Sequence, residues 1–73
     1  MKTVISTEKA PAAIGPYSQG IQAGSLIITS GQLPIDPATG ALPATIEEQT
    51  RQSLENCKAV LAAAGAAMEN VIK

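Results

Sequence analysis

The order of patterns along this sequence predicts an α+β fold, in which short strands and one long helix occupy separate stretches of the chain. Runs of β-branched and other apolar residues, bounded by Gly, Pro and Ser, predict the strands. Apolar residues at helical spacing predict the helix, at residues 46–64. The chain has 73 residues and is expected to hold a single domain, 1–73. The strands are predicted at 2–6, 19–23, 26–30 and, as a beginning only, 70–73.

The second and third strands are expected to form a β-hairpin. Gly24 and Ser25 separate them, which is the length of a two-residue turn. Residues 26–28 (Leu-Ile-Ile) form a continuous apolar run, so the third strand is expected to be buried on both faces. The Pro and Gly residues within 7–17 and 32–43 predict loops in those two stretches.

The helix is the most clearly marked element. Thr45 can cap its first turn, and Glu48 follows three positions later, which is the pattern of a capping box. Gly65 marks the expected end, because glycine readily takes the left-handed conformation that terminates helices. Apolar or small residues share one helical face, which is expected to pack on the sheet: Ile46, Thr50, Ser53, Leu54, Cys57, Val60, Leu61 and Ala64.

The composition excludes several classes of function. The net charge is -1, the five Lys and Arg residues are scattered, and Tyr17 is the only aromatic residue, so no nucleic-acid surface is expected. The sequence has no histidine, and Cys57 is its only cysteine, so neither a metal site nor an internal disulfide is expected. It also carries no phosphate-binding loop.

The same composition bounds location and assembly. The longest apolar run, residues 59–64, is too short to cross a membrane. The first residues lack the apolar core of a signal peptide, and together with the free thiol this favours the cytosol. A chain of this size buries a modest core and commonly needs metals, disulfides or partner chains. Since neither a metal site nor a disulfide is expected, partner chains are the remaining source of stability, and an oligomer is expected.

Two loop positions are candidates for chemistry. Tyr17 follows Gly15 and Pro16, whose restrained backbone would hold a hydroxyl in place to orient a substrate or a water; the alternative is a tyrosine that covers the edge of the core. Ser30 and Gly31 end the most apolar strand and open a loop; the alternative is an ordinary turn at a strand end. On the residues alone, the alternatives are the simpler interpretations.

Three stretches together resemble one family. They are GPYSQG at 15–20, SGQLPIDPATG at 30–40 and QTRQSLENCKAVLAAAG at 49–65. In this order and spacing they resemble the RidA (YjgF) family of reactive-intermediate deaminases. The resemblance covers the whole of this chain, but it covers only about the first half of a family domain. Residues 1–73 are therefore expected to be an incomplete domain.

The resemblance implies a fold, an assembly and an activity. The fold is a mixed sheet like that of chorismate mutase, with helices on one face, and three subunits form ligand clefts between them. Members hydrolyse 2-aminoacrylate, 2-iminobutanoate and similar enamines or imines, which pyridoxal-phosphate dehydratases release, to 2-oxo acids and ammonia without a cofactor. Tyr17 and Ser30 match catalytic positions, and Tyr17, Ser30 and Gly31 match substrate-binding positions.

The rest of the family's site belongs to the second half of the domain. There the family places an arginine for the substrate carboxylate, an asparagine, a cysteine and a late glutamate; Arg51 and Cys57 are not their equivalents. The 73 residues alone are therefore expected to be inactive and poorly folded. Alternatives are a binding or regulatory member of the same fold, or an inactive truncated chain. RNA cleavage, also attached to the family, is disfavoured by the acidic balance.

Overall fold

The computed structural model describes residues 2–72 and has the predicted α+β order. Each predicted strand of the first half and the helix are confirmed, with ends that differ by at most one residue from the predicted ones. A short 3₁₀ helix, Met68–Asn70, follows the α-helix. The regular elements are β1 (Lys2–Ile5), β2 (Gly20–Ala23), β3 (Leu26–Thr29) and α1 (Ile46–Ala63).

The three strands form an antiparallel sheet in the order β1-β2-β3. The register aligns Val4 with Ile21 and Ile21 with Ile28 across the sheet. Because side chains alternate between the two faces, these three residues share one face, while Ile5 and Gly20 belong to the other. Helix α1 packs on the face of Ile5, and the sheet positions everything else described below.

The contact between helix and sheet is close at Gly20. A Cβ atom on Gly20 would lie 2.9 Å from Cγ1 of Val60 and 3.2 Å from the carbonyl oxygen of Ile28. Glycine therefore allows α1 to approach β2. Val60 is fully buried there, and it forms the core with Ile5 and Ala10.

Both ends of α1 follow from local sequence. The hydroxyl oxygen of Thr45 accepts a hydrogen bond of 3.2 Å from the Glu48 N–H, which is the Thr45 half of the predicted box. At the other end Gly65 takes a φ of 81°. Its N–H donates to Ala62 and the N–H of Ala66 donates to Leu61, the paired bonds of a Schellman motif.

The predicted buried face of α1 is wrong in part. Val60 and Leu61 are buried, but Ile46 and Leu54 are 74% and 52% exposed. The most deeply buried polar residue is Asn56, at 0% exposed. The sheet has only three short strands. It therefore covers fewer residues of the helix than the apolar spacing predicts. Of the other residues of that face, Thr50 is exposed, and Ser53, Cys57 and Ala64 are half-buried.

Two strand predictions also need correction. Strand β3 is not buried on both faces, because α1 covers one face and Leu26 and Ile28, on the other, are 51% and 59% exposed. The strand predicted from Asn70 is not formed: Asn70 closes the 3₁₀ helix, and its side-chain oxygen accepts from the Ala67 N–H at 3.0 Å. Val71 has an extended backbone but pairs with no strand among residues 2–72, and Lys73 lies outside the described residues.

Candidate functional site

A depression of about 470 Å³ lies beside the end of β3. Its walls come from two loops: the segment between β1 and β2, and the segment that follows β3. Tyr17, Ser30 and Gly31 all border it, although 13 positions separate Tyr17 from Ser30 in the sequence. The lining residues are Pro11, Ala12, Ile14, Tyr17, Ser30, Gly31, Gln32, Leu33 and Ile35.

Tyr17 is held by a tight turn. Gly15 takes a φ of 126°, which L side chains rarely adopt, and the Tyr17 N–H donates to the Gly15 carbonyl at 2.9 Å across Pro16. This bond fixes the backbone from which the ring projects. The Tyr17 side chain is 48% exposed. Within residues 2–72 its hydroxyl has no hydrogen-bond partner, so it is available to a ligand or a water.

Ser30 is held by the backbone of the neighbouring strand. Its N–H donates to the Gln19 carbonyl at 3.0 Å, and its hydroxyl lies 3.2 Å from the same oxygen. A carbonyl can only accept, so the Ser30 hydroxyl proton points to Gln19. The Gln32 amide in turn donates to the Ser30 hydroxyl oxygen at 3.3 Å. One lone pair of that oxygen is left, and Ser30 is therefore arranged to accept a hydrogen bond.

Gly31 leaves space in the wall. A Cβ atom built on Gly31 would meet no atom within 4 Å, and its φ is not in the left-handed region. Neither packing nor backbone conformation in the described residues therefore requires glycine at this position. A ligand can approach the Gly31 backbone closely from the open side.

The depression is uncharged. Its nine lining residues include no Asp, Glu, Lys or Arg, and its polar groups are the Tyr17 and Ser30 hydroxyls and the Gln32 amide. Arg51 is exposed on α1 and is not among the lining residues. The described part of the chain thus offers hydrogen bonds and an apolar wall, and it offers no cation for a substrate carboxylate.

Sequence reasoning missed a buried amide at Gln19. The side chain is 4% exposed and satisfied at both ends. Its Oε1 accepts from the Thr7 N–H at 2.7 Å, and its Nε2 donates to the carbonyls of Pro11 at 2.7 Å and Thr7 at 3.0 Å. Nε2 also lies 3.3 Å from the Ala10 carbonyl oxygen. Gln19 belongs to the GPYSQG stretch and begins the predicted strand 19–23, and neither pattern indicates that its side chain is buried.

Asn56 was missed for a similar reason. Its Nδ2 donates to the carbonyls of Leu33 at 2.8 Å and Ile35 at 3.0 Å, and its Oδ1 accepts from Gln52 at 2.8 Å. Leu33 and Ile35 line the depression, so α1 fixes the loop after β3 through this side chain. One feature of the sequence could have indicated its burial: Asn56 is an amide next to Cys57, which lies on the predicted apolar face of the helix.

Known proteins share this sequence and this arrangement. Residues 7–73 match the endoribonuclease L-PSP family. The 2-iminobutanoate/2-iminopropanoate deaminase of Salmonella typhimurium is 55% identical over all 73 residues, which correspond to 57% of that protein. The crystal structure of Escherichia coli TdcF with bound serine is 50% identical, with a TM-score of 0.94 over 96% of this chain and 55% of that chain. RidA from an Antarctic Psychrobacter is 43% identical, with a TM-score of 0.91 over 96% of this chain and 57% of that one.

The chain shares its α+β fold with these solved structures, and in this chain the depression lies at the end of β3. The chain belongs to the endoribonuclease L-PSP family, and its relatives include proteins named 2-iminobutanoate/2-iminopropanoate deaminase and RidA. It spans little more than half the length of those relatives, 57% in the case of the Salmonella protein. Within residues 2–72, α1 is not apolar enough over its length to span a membrane.

Proposed function

We propose that these residues form the first half of the active site of a hydrolytic deaminase. The substrates are small 2-imino acids and their enamine forms, of the 2-aminoacrylate and 2-iminobutanoate type, and the products are a 2-oxo acid and ammonia. The observation that supports this most directly is the convergence of Tyr17, Ser30 and Gly31 on one uncharged depression. The 55% identity to the Salmonella deaminase supports the same chemistry.

The reaction needs a water, a place for the nitrogen and a counter-ion for the carboxylate. Water adds to the C=N carbon, the nitrogen takes up a proton, and the resulting carbinolamine loses ammonia to give the C=O group. The Ser30 oxygen, whose own proton is held by Gln19, can accept from the attacking water or from the substrate N–H. The Tyr17 hydroxyl can both donate and accept. The carboxylate requires a guanidinium from outside residues 2–72.

The proposed assembly is a homotrimer with the ligand clefts between subunits and the mixed, chorismate-mutase-like sheet completed by the rest of the domain. The support is the row formed by Val4, Ile21 and Ile28, which lies on the face away from α1. Val4 is 65% exposed and Ile28 is 59% exposed. A row of aliphatic side chains at the centre of a sheet face is stabilised when a partner covers it.

The context of the reaction follows from the reactivity of its substrates. Enamines of this kind arise as products of pyridoxal-phosphate dehydratases and react with water and nucleophiles. We place the reaction with those enzymes in the cytosol, and we assign no cofactor, because hydrolysis consumes only water. The single free cysteine of the sequence supports a reducing compartment.

A second candidate is a binding protein of the same fold that holds a small carboxylate without turning it over. It is favoured by one observation: the E. coli relative was crystallised with bound serine. The absence of any charged residue from the lining, within the described part, fits a binding site and a catalytic half-site equally well. Turnover distinguishes the two. RNA is not favoured, because the depression has no basic residue for phosphates.

The test uses a complete domain, made by joining residues 1–73 to the second half of the Salmonella relative. Ammonia and 2-oxo acid are measured from freshly generated 2-aminoacrylate. The chimera is expected to be active, and Tyr17→Phe is expected to lower kcat/KM by about 10- to 100-fold, because a positioned hydroxyl is lost. Ser30→Ala is expected to lower it as well.

Ser25→Ala is the matched control, since it removes a serine hydroxyl from the β2–β3 hairpin, away from the depression. Its activity is expected to equal that of the parent chimera. A folded chimera that binds serine but releases no ammonia would replace the deaminase proposal with the binding protein. Unchanged turnover in Tyr17→Phe would remove that hydroxyl from the mechanism.

A further inference from the structure

One residue, Gln19, connects both walls of the depression, one through its side chain and the other through its main chain. Gln19 touches no open part of the site and is 4% exposed. Through its side chain it holds Pro11, which lies in one wall, by a bond of 2.7 Å. Through its own carbonyl it holds Ser30, which lies in the other wall, by the bonds of 3.0 and 3.2 Å. The separation of the two walls is thus set within a single residue.

The orientation of this amide is determined by its partners. The Thr7 N–H can only donate, so the atom 2.7 Å from it is the amide oxygen. The three carbonyl oxygens around the other atom can only accept, so that atom is the nitrogen. Two N–H groups serve three carbonyls, and the bond to Pro11 is the shortest of them. An amide fits this set of partners, and a carboxylate does not.

We propose that Gln19 is a positioning residue, which sets the apolar Pro11 wall at a fixed distance from the Ser30 acceptor and so adapts the depression to a short substrate side chain. The inference rests on the proposed function. Gln19 acts through Pro11 and Ser30 and contacts no substrate. The wall on the Pro11 side also carries Ala12 and Ile14, and no polar side chain of that segment other than Tyr17 borders the depression. It therefore suits the aliphatic end of the substrate.

Substitution of Gln19 separates its two contributions, because its side chain holds Pro11 and its main-chain carbonyl holds Ser30. The carbonyl that holds Ser30 belongs to the main chain, and it is present whatever side chain stands at this position. Gln19→Leu therefore releases the Pro11 wall and leaves the Ser30 acceptor in place. When a substitution removes contacts that stabilise the ground state and the transition state equally, KM rises and kcat is unchanged. We expect KM to rise about tenfold, the equivalent of one hydrogen bond, while kcat stays within about twofold.

Gln19→Glu gives the sharper measurement, because its effect is reversible with pH. A neutral carboxyl donates one hydrogen bond to Pro11 and accepts one from Thr7, as the amide does. An ionised one places negative charge against three carbonyl oxygens. Burial and those carbonyls raise the pKa of the introduced carboxyl above its ordinary value of about 4.3. The ratio of KM in Gln19→Glu to KM in the parent is expected to fall as the pH is lowered from about 8 to 5.

Two controls isolate this titration. Glu8 and Lys9 are the charged residues of the segment that surrounds the Gln19 amide, and both are exposed. An ordinary lysine pKa of about 10.4 lies above the range of the series, whereas a carboxyl group can titrate within it. The series is therefore repeated with Glu8→Gln in both proteins, since Glu8 lines the same surface depression as Gln19. In Gln19→Leu the KM ratio is expected to stay level over the same pH range. The uncatalysed decay of 2-aminoacrylate is measured without enzyme at each pH and subtracted before KM is determined, and each KM is then expressed as a ratio to that of the parent chimera. The dissociation constant of serine, measured by calorimetry, is followed in parallel.

The outcomes separate the two proposals. A pH-dependent KM ratio in Gln19→Glu with a level one in Gln19→Leu supports the positioning role. A parent without turnover overturns the proposed function, and the serine dissociation constant then tests Gln19 by the same ratios. If Gln19→Leu does not fold, Gln19→Glu carries the test alone. Ratios that do not change with pH, or a loss confined to kcat, would overturn the positioning role.

Discussion

Both faces of the sheet carry branched aliphatic side chains, but the two faces differ in how far those side chains are buried. On the face under α1, Ile5 is 5% exposed and packs with Val60, which is 0% exposed. On the opposite face, Val4 and Ile28 are 65% and 59% exposed. Val4 and Ile5 are neighbours in one strand and similar in chemistry. What separates their environments is the position of a helix that begins 41 residues after Ile5.

The difference between the two faces shows which side of the sheet is covered by other residues of the described chain. On the covered face, α1 packs closely against Gly20, which leaves room for the helix. The same helix carries the buried amide of Asn56. The open face has a register that aligns apolar residues and no cover within residues 2–72. Changes on the covered face should therefore act on folding, and changes on the open face should act on assembly.

The largest effect is expected from Asn56→Asp. The change puts a carboxylate oxygen where an N–H group now serves the carbonyls of Leu33 and Ile35, in a fully buried place. The free energy of unfolding should fall by about 3 kcal/mol or more at neutral pH. Repulsion and burial raise the pKa of the introduced carboxyl in the folded state. The loss should therefore be smallest below about pH 4 and grow as the pH rises.

Asn70→Asp provides the matched control for that substitution. Asn70 uses its side-chain oxygen as an acceptor for the Ala67 N–H, and it is exposed. A carboxylate can replace that acceptor, so stability should change by less than about 0.5 kcal/mol. Denaturant unfolding of the complete chimera from pH 3 to 8 measures both. Equal losses for the two variants would show that Asn56 is not the buried link between α1 and the loop after β3.

A middle-sized effect should separate the two faces directly. Val60→Ala leaves a cavity on the covered face and should lower stability by about 2 kcal/mol. That loss is intramolecular, so the shift in Tm should be the same at every protein concentration. In the proposed trimer Ile28→Ala removes contacts with partner subunits, and its shift in Tm should then depend on protein concentration, because assembly and folding are linked.

Size-exclusion chromatography over the same concentrations provides the independent measurement for this pair. Ile28→Ala is expected to dissociate at concentrations where Val60→Ala remains assembled. If both variants shift Tm equally at all concentrations and keep the same size, the open face is not an interface, and the proposed trimer must use another surface.

The sequence was informative wherever a feature depends on near neighbours. The cap at Thr45 and the end of the helix at Gly65 join residues no more than five positions apart, and both were predicted. The hairpin was predicted from a two-residue gap. The bonds of Asn56 reach carbonyls 21 and 23 positions away, and those of Gln19 span up to 12. An amide in a sequence does not show which distant carbonyls will surround it.

The site was predictable in part for a related reason. Tyr17, Ser30 and Gly31 were singled out because they lie beside glycine and proline or at a strand end, and resemblance assigned them roles. Their meeting in one depression depends on the pairing of β2 with β3, which places Gly20 beside Thr29 and so brings Gln19 next to Ser30. Burial of β3 on both faces was predicted wrongly, because an apolar run does not state how many faces the same chain can cover.

The smallest effect, and the most specific one, is expected at the contact between Gly20 and Val60. Gly20→Ala places a methyl 2.9 Å from Cγ1 of Val60 and 3.2 Å from a backbone oxygen. Overpacking of this kind costs about 1–3 kcal/mol, and replacing a strand glycine returns about 0.5–1, so a net loss of about 1 kcal/mol is expected. Gly31→Ala, which meets no atom within 4 Å, is the control and should leave stability almost unchanged.

The double variant decides whether steric contact is the cause. Val60→Ala removes the Cγ1 atom that the new methyl would meet, so Gly20→Ala in that background fills part of the cavity. The two losses should then sum to more than the loss in the double variant, with a coupling of about 0.5–1 kcal/mol. Denaturant unfolding of the four proteins measures it. Strict additivity would mean that the Ile28 carbonyl, and not Val60, limits the space at Gly20, and the fit of α1 to the sheet would then be looser than the 2.9 Å separation indicates.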